Sequence, residues 1–383
     1  MNEAHLKNNA TIPFNDLLAL HQVHREAFHR QLDALLDQSD FIGGKAIGDF
    51  ERAFAKACGA DHCVGVANGT EAIFVALKVF GIGPGDLVIT VPNSFMATAE
   101  AISLCGAEPL FADVNEADFG LDVDVLENIL LHHPQKQRIK AVMPVHLYGR
   151  SARLDRISAL CKTQQLPLIA DAAQAHLATC HGLPIAQWAD LTTFSFYPGK
   201  NLGALGDAGA IVGQSPEVMA KVRRFANHGR SEKYLHESIG TNARLDTLQA
   251  YFLLEKLPLL QAQTLKRQEL GRRYSQELSG LKGLRVPEDF TERPSVVHLF
   301  VVCHEQRDEL QSILKREGIE TGIHYPIPLH LQPAYVHLGL KVGDFPVSEK
   351  LARTQLSLPL FPSMSETQLL RVCAVIRQFC KGR

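Results

Sequence analysis

Three features that often reveal the class of a protein are missing from this sequence of 383 residues. The charge is balanced, with 39 Lys and Arg against 41 Asp and Glu, so the basic patch of a nucleic-acid-binding protein is not expected. No apolar run reaches the roughly 18 residues that a membrane-spanning helix needs. No CxxC pair occurs among the eight cysteines, so we expect no zinc site and no other metal ion.

The amino-terminal segment Met1–Ala10 is polar and lacks the apolar stretch of a signal peptide. The scattered cysteines lie mostly inside apolar runs, as reduced thiols in cytosolic proteins do. We therefore expect a cytoplasmic protein with no nucleic-acid partner and no membrane segment.

The composition that is present is typical of a globular protein, with 46% hydrophobic and 21% charged residues. The length favours two domains. Between about residues 60 and 212, short runs rich in Val, Ile and Leu alternate with helical patterns. These runs are Leu87–Val91, Leu110–Ala112, Ala141–Val145, Leu166–Ala170 and Ala208–Val212. Such alternation predicts an α/β fold with a mostly parallel central sheet that helices flank on both faces.

The pattern changes after about residue 213, where long helical stretches are predicted for Pro216–Ala226, Arg244–Leu257 and Gln261–Leu278. Val296–Val302 then predicts a strand, followed by a helix that Gly318 ends. We place a domain boundary near residue 250. It separates a large domain, residues 1–250, from a smaller C-terminal α/β domain, residues 251–383.

Lys200 is a candidate for covalent chemistry. It lies in the glycine-rich turn of the segment Phe194–Gly203, directly after an apolar strand. A lysine amine forms a Schiff base with an aldehyde when it is well positioned and able to lose its proton. Taken alone, a Gly-Lys pair in a loop is more often an ordinary surface lysine.

A carboxylate, Asp171, ends another apolar strand, and an amide, Gln174, follows it. A pyridine cofactor needs a carboxylate beside its ring nitrogen, because the protonated ring then acts as an electron sink. By itself, Asp171 is explained equally well as a helix N-cap. Asp171 and Ser195 both end strand-like runs, so we expect them near one crevice. His176 has no partner at metal-ligand spacing, which favours a packing role.

Two further segments follow short strands. Gly69 and Thr70 open a helix, and the backbone N–H groups at a helix N-terminus bind phosphate well. The plain alternative is a capped helix, with Asn68 or Thr70 as the cap. Phe95 could stack on a flat cofactor ring, although a single aromatic is more often a core residue.

Taken in chain order, these segments resemble the sugar aminotransferases of the DegT/DnrJ/EryC1/StrS family. The shared order is Gly-Thr, an aromatic, Asp-x-x-Gln and Ser-x-x-x-x-Lys. The resemblance covers nearly the whole chain and includes Ile12–Leu17, Val145–Gly149, Asn227–Arg230, Thr241–Ala250, His324–Pro326 and Leu358–Pro362. It implies the type I fold of aspartate aminotransferase, with pyridoxal 5'-phosphate (PLP) as cofactor.

The resemblance also implies a role for each candidate around the cofactor ring. Lys200 matches the lysine that forms the Schiff base and later shuttles the proton. Asp171 matches the partner of the pyridine nitrogen, and Gln174 the residue near the ring hydroxyl. Phe95 stands where the family places its ring-stacking aromatic.

The remaining candidates match positions that bind phosphate or substrate. The implied phosphate binders are Gly69, Thr70, Ser195 and, from the neighbouring subunit, Asn242. The implied substrate contacts, also expected across the dimer interface, are Arg244, His324 and Tyr325. If these matches hold, the active site requires a homodimer.

The implied reaction moves an amino group from glutamate to a keto-sugar nucleotide in two half-reactions. Dehydratase relatives carry histidine in place of the lysine, so Lys200 favours transamination. The segment Arg244–Gln249 resembles members that act on 3-keto sugars more than those that act on 4-keto sugars. The nucleotide, the sugar and the pathway, whether antibiotic sugar, surface polysaccharide or lipopolysaccharide, stay open.

Two alternatives compete with this interpretation. One is another type I PLP enzyme, such as an amino-acid aminotransferase, although no carboxylate-clamping arginine is recognisable near the C-terminus. The other is a non-catalytic regulator on the same fold. Retention of Lys200, Asp171 and Gln174 together argues against a regulator.

Overall fold

The structure is a computed structural model, and it describes residues 11–382. The polar segment 1–10, on which the signal-peptide prediction depends, lies outside the described residues. The strands are β1 His62–Val66, β2 Leu87–Thr90, β3 Glu108–Phe111, β4 Ile139–Val142, β5 Ile169–Asp171, β6 Thr179–Cys180, β7 Leu183–Pro184, β8 Leu191–Ser195, β9 Gly209–Gly213, β10 Arg230–Glu232, β11 Leu235–His236, β12 Leu284–Arg285, β13 Phe300–His304 and β14 Gln355–Leu358.

Helices connect most of the strands. They are α1 Leu17–Gln22, α2 Arg25–Gln38, α3 Gly44–Ala57, α4 Gly69–Val79, α5 Met96–Leu104, α6 Val123–His132, α7 Leu154–Gln164, α8 Pro216–Phe225, α9 Thr247–Lys256, α10 Leu260–Leu278, α11 Arg307–Arg316, α12 Pro346–Thr354 and α13 Glu366–Lys381. Among the described residues, no helix combines the length and the apolar character that crossing a bilayer requires.

The central sheet has a four-stranded part, in the order β1-β9-β8-β5, and a three-stranded part, in the order β3-β2-β4. Parallel bridges from Val142 to Leu168 and from Val145 to Asp171 join the two parts. β9 runs antiparallel to both of its neighbours, and the other pairings are parallel. The predicted α/β fold with a mostly parallel sheet is therefore confirmed.

Both faces of this sheet are buried, as its nearly continuous apolar strands predict. Along β2, Leu87 and Ile89 belong to one core cluster and Val88 belongs to another. Successive side chains of a strand point to opposite faces, so the two clusters lie on opposite sides of the sheet. The parallel strands end at one edge of the sheet, where ligand crevices form in such folds.

The C-terminal part builds a second, antiparallel sheet in the order β12-β13-β14. A separate apolar cluster packs around it, with residues such as Leu270, Val302 and Ile376. Gly318 follows α11 with φ of +71°, a left-handed conformation that glycine adopts freely, so the predicted helix end is confirmed. The division near residue 250 falls inside α9, and Leu253 of that helix packs in the core of the large sheet. The division stays a prediction.

Two predicted elements begin later than the sequence indicated. The strand expected at Val296 begins at Phe300, because Val297 adopts φ of +48° and breaks the extended backbone. The helix expected from Arg244 begins at Thr247, because Arg244 bridges to Val66 of β1 and Asp246 is the N-cap.

Candidate active site at the free edge of the central sheet

The candidate residues of the sequence analysis converge where β5 and β8 end. These strands run parallel, with Asp171 opposite Thr193 in register, and Ser195 is the last residue of β8. Carboxyl ends of parallel strands meet at one edge, where ligand crevices form. The expectation that Asp171 and Ser195 lie near one crevice is confirmed.

Asp171 is a buried carboxylate that receives hydrogen bonds but has no cation in direct contact. The Thr98 hydroxyl donates to one carboxylate oxygen at 2.8 Å, and the Ala173 N–H donates to the other at 3.1 Å. No helix follows Asp171, so the N-cap alternative is wrong. Burial raises the pKa of the Asp171 carboxyl, while these two hydrogen bonds and the charge of Lys200 oppose the shift. A positively charged ligand group beside Asp171 would favour the charged form.

Lys200 lies in the turn that follows β8, and its backbone N–H donates to the Tyr197 carbonyl at 2.8 Å. Burial lowers the pKa of the Lys200 amine to about 8, against the opposing effect of Asp171. A substantial fraction of the amine is therefore neutral at mildly alkaline pH and available as a nucleophile or base. Gly203 closes the turn tightly, since a Cβ there would meet the Pro198 carbonyl oxygen at 2.3 Å.

The N-terminus of α4 lies against the end of β8. A Cβ on Gly69 would stand 2.7 Å from the Ser195 Cβ, so only glycine fits between them. Asn68 is the N-cap, and its side chain accepts the Glu71 N–H at 2.8 Å. Thr70, the other cap candidate, is thus left in the first turn of the helix. Gly69, Thr70 and Ser195 together form a small polar cradle at the positive end of a helix dipole, suited to a phosphate.

Three side chains line the opposite side of the crevice. Phe95, the residue before α5, is 56% exposed and lies 5.5 Å from the Tyr325 ring, centroid to centroid. An exposed phenylalanine among buried polar groups offers an apolar face to a ligand ring. Gln174 is buried, and its Nε2 lies 3.4 Å from the Tyr325 hydroxyl.

His324 and Tyr325 enter the site from the C-terminal part of the chain. The Nδ1 of His324 lies 2.8 Å from the Ser357 hydroxyl, and its ring stacks on Phe14. Burial and the nearby charge of Lys200 lower the pKa of His324 to about 4, so its ring is neutral at pH 7. Burial raises the pKa of Tyr325 to about 12, so its hydroxyl stays protonated.

The structure does not bring Asn242 and Arg244 into contact with Lys200 among the described residues. Asn242 has an exposed side chain and pairs through its backbone with Asn227. Arg244 bridges to Val66, and its guanidinium lies 3.5 Å from the Asn227 side-chain oxygen. Their expected roles at the phosphate and the substrate, in a neighbouring subunit, stay predictions.

Sequence reasoning missed three residues that support the site. Thr98 binds Asp171, Tyr148 donates its N–H to Gln174 at 2.7 Å, and the His298 Nδ1 lies 3.1 Å from the Asn201 side-chain oxygen. The only sequence signal was the presence of Tyr148 in the segment Val145–Gly149. His176, expected to pack, lies among Phe54, Phe194 and Phe196, as predicted.

One group elsewhere has the residue types of a metal site. Ligand atoms of Asp155, Cys180 and His181 lie within 4.8 Å of one another. However, Arg153 already binds the Asp155 carboxylate, at 3.3 and 3.1 Å, and burial raises the pKa of the Cys180 thiol. A bound cation would need this carboxylate free and the thiol deprotonated, so the group gives no support to a metal site.

The crevice fits PLP on its own chemistry. The buried Asp171 carboxylate suits a protonated ring nitrogen, and the Phe95 face suits a flat ring. The Gly69 cradle suits a phosphate, and the Lys200 amine suits an aldehyde. Each of these groups was a weak signal alone, and together they match the parts of one cofactor.

Comparisons with known proteins agree with this geometry. The model of the DegT/DnrJ/EryC1/StrS aminotransferase family matches residues 22–377. The chain is 39% identical, over 370 residues, to the dTDP-3-amino-3,4,6-trideoxy-alpha-D-glucose transaminase of Streptomyces venezuelae, covering 97% of this chain and 96% of that relative. It is 37% identical, over 377 residues, to the UDP-N-acetyl-3-dehydro-alpha-D-glucosamine 3-aminotransferase of Acidithiobacillus ferrooxidans, covering 98% of this chain and all (100%) of that relative.

A solved structure is similar over the same length. The crystal structure of S. venezuelae DesV, in complex with a ketimine intermediate, superposes with a TM-score of 0.93 at 39% identity. The match covers 97% of this chain and 99% of that chain. The similarity therefore includes both the large sheet and the C-terminal sheet.

Proposed function

Since the chain belongs to the DegT/DnrJ/EryC1/StrS aminotransferase family, we propose that it transfers the amino group of glutamate to a 3-keto-sugar nucleotide. The chain is a PLP-dependent nucleotide-sugar aminotransferase. The observation that carries the proposal is a buried Asp171 carboxylate, without a cation in direct contact, in the same crevice as a lysine with a lowered pKa.

When bound, PLP supplies an aldehyde that accepts amino groups and a ring that withdraws electrons from the reacting carbon. The chain's own residues orient the cofactor and the substrate and move the proton. The Asp171 carboxylate would keep positive charge at the ring nitrogen, and the Gly69–Thr70 helix start and Ser195 would hold the phosphate. The Phe95 ring would offer an apolar contact to the cofactor ring.

Lys200 moves the proton in this proposal. Burial lowers the pKa of its Nζ to about 8, close to neutral pH. An amine with this pKa takes a proton from a carbon acid and returns it at a neighbouring atom with little energetic penalty. His324 and Tyr325 stay neutral at pH 7, so they offer uncharged hydrogen-bonding groups to the substrate.

The preference for a 3-keto sugar rests on two supports. The segment Arg244–Gln249 resembles members that act on 3-keto sugars. The two relatives named above are a 3-amino-sugar transaminase and a 3-aminotransferase. The names of these two relatives give different nucleotides, dTDP and UDP, so the nucleotide of this chain's substrate is left to experiment.

The deciding experiment offers the PLP-loaded enzyme glutamate together with a panel of 3-keto and 4-keto sugar nucleotides. We expect mass spectrometry to detect an amino-sugar nucleotide, and 2-oxoglutarate in equal amount, with a 3-keto member of the panel. Amination of 4-keto sugars alone would overturn the 3-keto assignment. Amination of no member would overturn the sugar assignment.

The role of Lys200 is tested by Lys200→Ala, with Lys221→Ala on the exposed face of α8 as the matched control. After treatment with borohydride, PLP should stay attached to the wild type and to the control but not to Lys200→Ala. We expect the turnover of Lys200→Ala to fall by at least about 10²-fold, the lower end of what a positioned proton-transfer group contributes. Borohydride-stable PLP on Lys200→Ala would show that another lysine binds the cofactor.

We further propose a homodimer in which Asn242 of each protomer reaches the cofactor phosphate of its partner. In support, Asn242 is exposed and follows the hairpin of β10 and β11. Tyr234, in the turn of that hairpin, is 85% exposed, and Ile239, shortly after β11, is 92% exposed. Large apolar side chains this exposed, and close together, are typical of a surface that a partner covers.

A further inference from the structure

Tyr148 is a buried residue with an unusual backbone conformation. It lies beside Gln174, whose amide we expect to contact the cofactor. It is 4% exposed and adopts φ of +62°, in the left-handed region. Its backbone N–H donates to the Oε1 of Gln174 at 2.7 Å. Because this oxygen is engaged, the Gln174 Nε2 is the atom left to donate to an acceptor in the crevice.

The Tyr148 hydroxyl reaches into the C-terminal part of the chain. It donates to the Oε1 of Gln355 at 2.6 Å and also contacts the main-chain carbonyl of His324. The Nε2 of Gln355 in turn donates to the Tyr325 carbonyl at 3.1 Å. Turning the Gln355 amide over would set its oxygen against the Tyr325 carbonyl, so the network supports this orientation.

These contacts form what we call the Tyr148 latch, made of Tyr148, Gln355 of β14 and the carbonyls of His324 and Tyr325. Burial raises the pKa of the Tyr148 hydroxyl well above its usual value, so it remains a donor at any pH the enzyme meets. Gln355 is fully buried, at 0% exposure, so both partners are shielded from water. Buried hydrogen bonds of this kind are costly to leave unmade.

The left-handed backbone at Tyr148 needs such support. A non-glycine residue in this region costs free energy and persists only where its surroundings fix it. The next residue, Gly149, fits so closely that a Cβ would meet the His298 backbone nitrogen at 2.9 Å. The turn is thus held on one side by close packing and on the other by the hydroxyl of Tyr148.

We propose that Tyr148 and Gln355 are positioning residues that aim the Gln174 amide at the cofactor and hold the His324–Tyr325 segment against the sugar nucleotide. This inference rests on the proposed function. Neither residue is expected to touch the reacting atoms. Their effect passes through the N–H of Tyr148 to Gln174, and through two carbonyls to His324 and Tyr325.

The test removes the hydroxyl with Tyr148→Phe, which keeps the ring and its edge-on contact with Phe119. The matched control is Tyr274→Phe. Tyr274 is also fully buried and also donates to a main-chain carbonyl, that of Pro359 at 2.9 Å, but it lies in the C-terminal core. Loss of one such bond lowers the thermal midpoint of both variants, so stability alone does not distinguish them.

Two readouts separate positioning from stability. Calorimetry gives the dissociation constant of pyridoxamine phosphate, and steady-state kinetics gives KM and kcat for the keto-sugar nucleotide. We expect Tyr148→Phe to weaken pyridoxamine phosphate binding and to raise the sugar KM, each by about three- to ten-fold, as loss of a buried hydrogen bond implies. Tyr274→Phe should change neither by more than about two-fold on the same scale.

Gln355→Met supplies a second variant in case Tyr148→Phe does not fold. Its control is Gln268→Met, since the Gln268 amide also donates to a carbonyl, that of Ser295 at 2.9 Å. If the latch is one unit, the double variant Tyr148→Phe with Gln355→Met should be no worse than the poorer single variant.

The outcomes are distinguishable. A wild-type enzyme that binds no pyridoxamine phosphate would overturn the proposed function together with the latch. Normal wild-type behaviour, with Tyr148→Phe matching Tyr274→Phe in both readouts, would overturn the latch alone. Fully additive losses in the double variant would show that Tyr148 and Gln355 act separately.

Discussion

The surroundings of Asp171 suit a carboxylate that binds a positively charged group of a ligand. Thr98 and the Ala173 N–H satisfy its oxygens, yet burial still raises its pKa. In the absence of cofactor, replacing this carboxylate with a neutral side chain should therefore stabilise the folded protein. Function and stability make opposite demands at this residue, as is common at active sites.

The cofactor-free Asp171→Asn variant should be more stable than the cofactor-free wild type at pH 7. A carboxyl with a raised folded pKa costs stability as pH rises from its ordinary value near 3.9 through the raised value, and that cost persists above it. The advantage of the variant should thus shrink as pH falls towards about 4. Urea unfolding at a series of pH values measures it, and an advantage that grows towards acid pH would contradict the assignment.

Asp118 provides the contrasting carboxylate. Its oxygen lies 2.7 Å from Arg293, and both side chains are buried. Asp118→Asn should destabilise the protein by about 3–5 kcal/mol, because the buried arginine loses its close carboxylate and keeps only the more distant Glu292, at 3.8 Å, as a charged neighbour. In one urea experiment, the change from Asp to Asn should therefore raise the free energy of unfolding at Asp171 and lower it at Asp118.

Lys200 predicts a pH dependence of its own. The rate at which the cofactor-free enzyme attaches PLP should rise with pH through a midpoint near 8, since only the neutral amine attacks an aldehyde. Asp171 raises the pKa of Lys200, so Asp171→Asn should move this midpoint to lower pH. Stopped-flow absorbance across pH 6–11 measures both midpoints. A midpoint near 10.5, the usual lysine value, would indicate an exposed amine.

At the scale of elements, helix α4 and strand β8 create, by their close approach, the cradle that we propose for the phosphate. Neither element contains it alone, because Gly69 begins one and Ser195 ends the other. The approach requires glycine, given the 2.7 Å separation between a Gly69 Cβ and the Ser195 Cβ. The Asn68 cap keeps the first turn of α4 regular, so that its free N–H groups point at one place.

Gly69→Ala should weaken the binding of pyridoxamine phosphate by about ten-fold or more, because the added methyl group forces the two elements apart. Gly83→Ala is the matched control, since its Cβ would meet only the Cys105 carbonyl oxygen at 3.8 Å. Calorimetric titration compares the two variants. Equal affinities would show that the phosphate binds elsewhere.

At the scale of the whole molecule, the proposed role of Asn242 would make each site depend on two protomers. Asn242 is exposed, and so are Tyr234, in the turn between β10 and β11, and Ile239, shortly after β11. A symmetric dimer would place the same surface of each protomer over the other's crevice. The proposed dimer thus gives both the hairpin and Asn242 a partner.

Complementation tests this sharing. Lys200→Ala and Asn242→Ala protomers, each inactive as homodimers, should regain activity when co-expressed, because one site of each heterodimer has both residues intact. With random pairing, about half of the dimers are mixed and each has one working site, so activity should reach about a quarter of wild type. No recovery in heterodimers that form normally would show that Asn242 serves its own protomer.

The local sequence determined the elements and the chemistry of this protein. Alternating apolar runs predicted the parallel sheet, and Gly318 predicted a helix end. The residues Lys200, Asp171, Gln174 and Phe95, through the chain order that resembles the aminotransferase family, predicted a cofactor site. These signals are short in range, because periodicity, turns and motifs depend on neighbouring residues.

The tertiary structure alone decided which residues support that chemistry. Thr98 binds Asp171 across 73 positions of sequence, and Tyr148 meets Gln355 across 207. No local sequence pattern predicts such pairs. A threonine in a helix or a glutamine in a strand could contact many different residues, and the local sequence does not distinguish among them. The packing of α5 on the large sheet brings Thr98 to Asp171, and the packing of the C-terminal sheet against the large sheet brings Gln355 to Tyr148. Burial then sets the pKa values on which Lys200 and Asp171 depend.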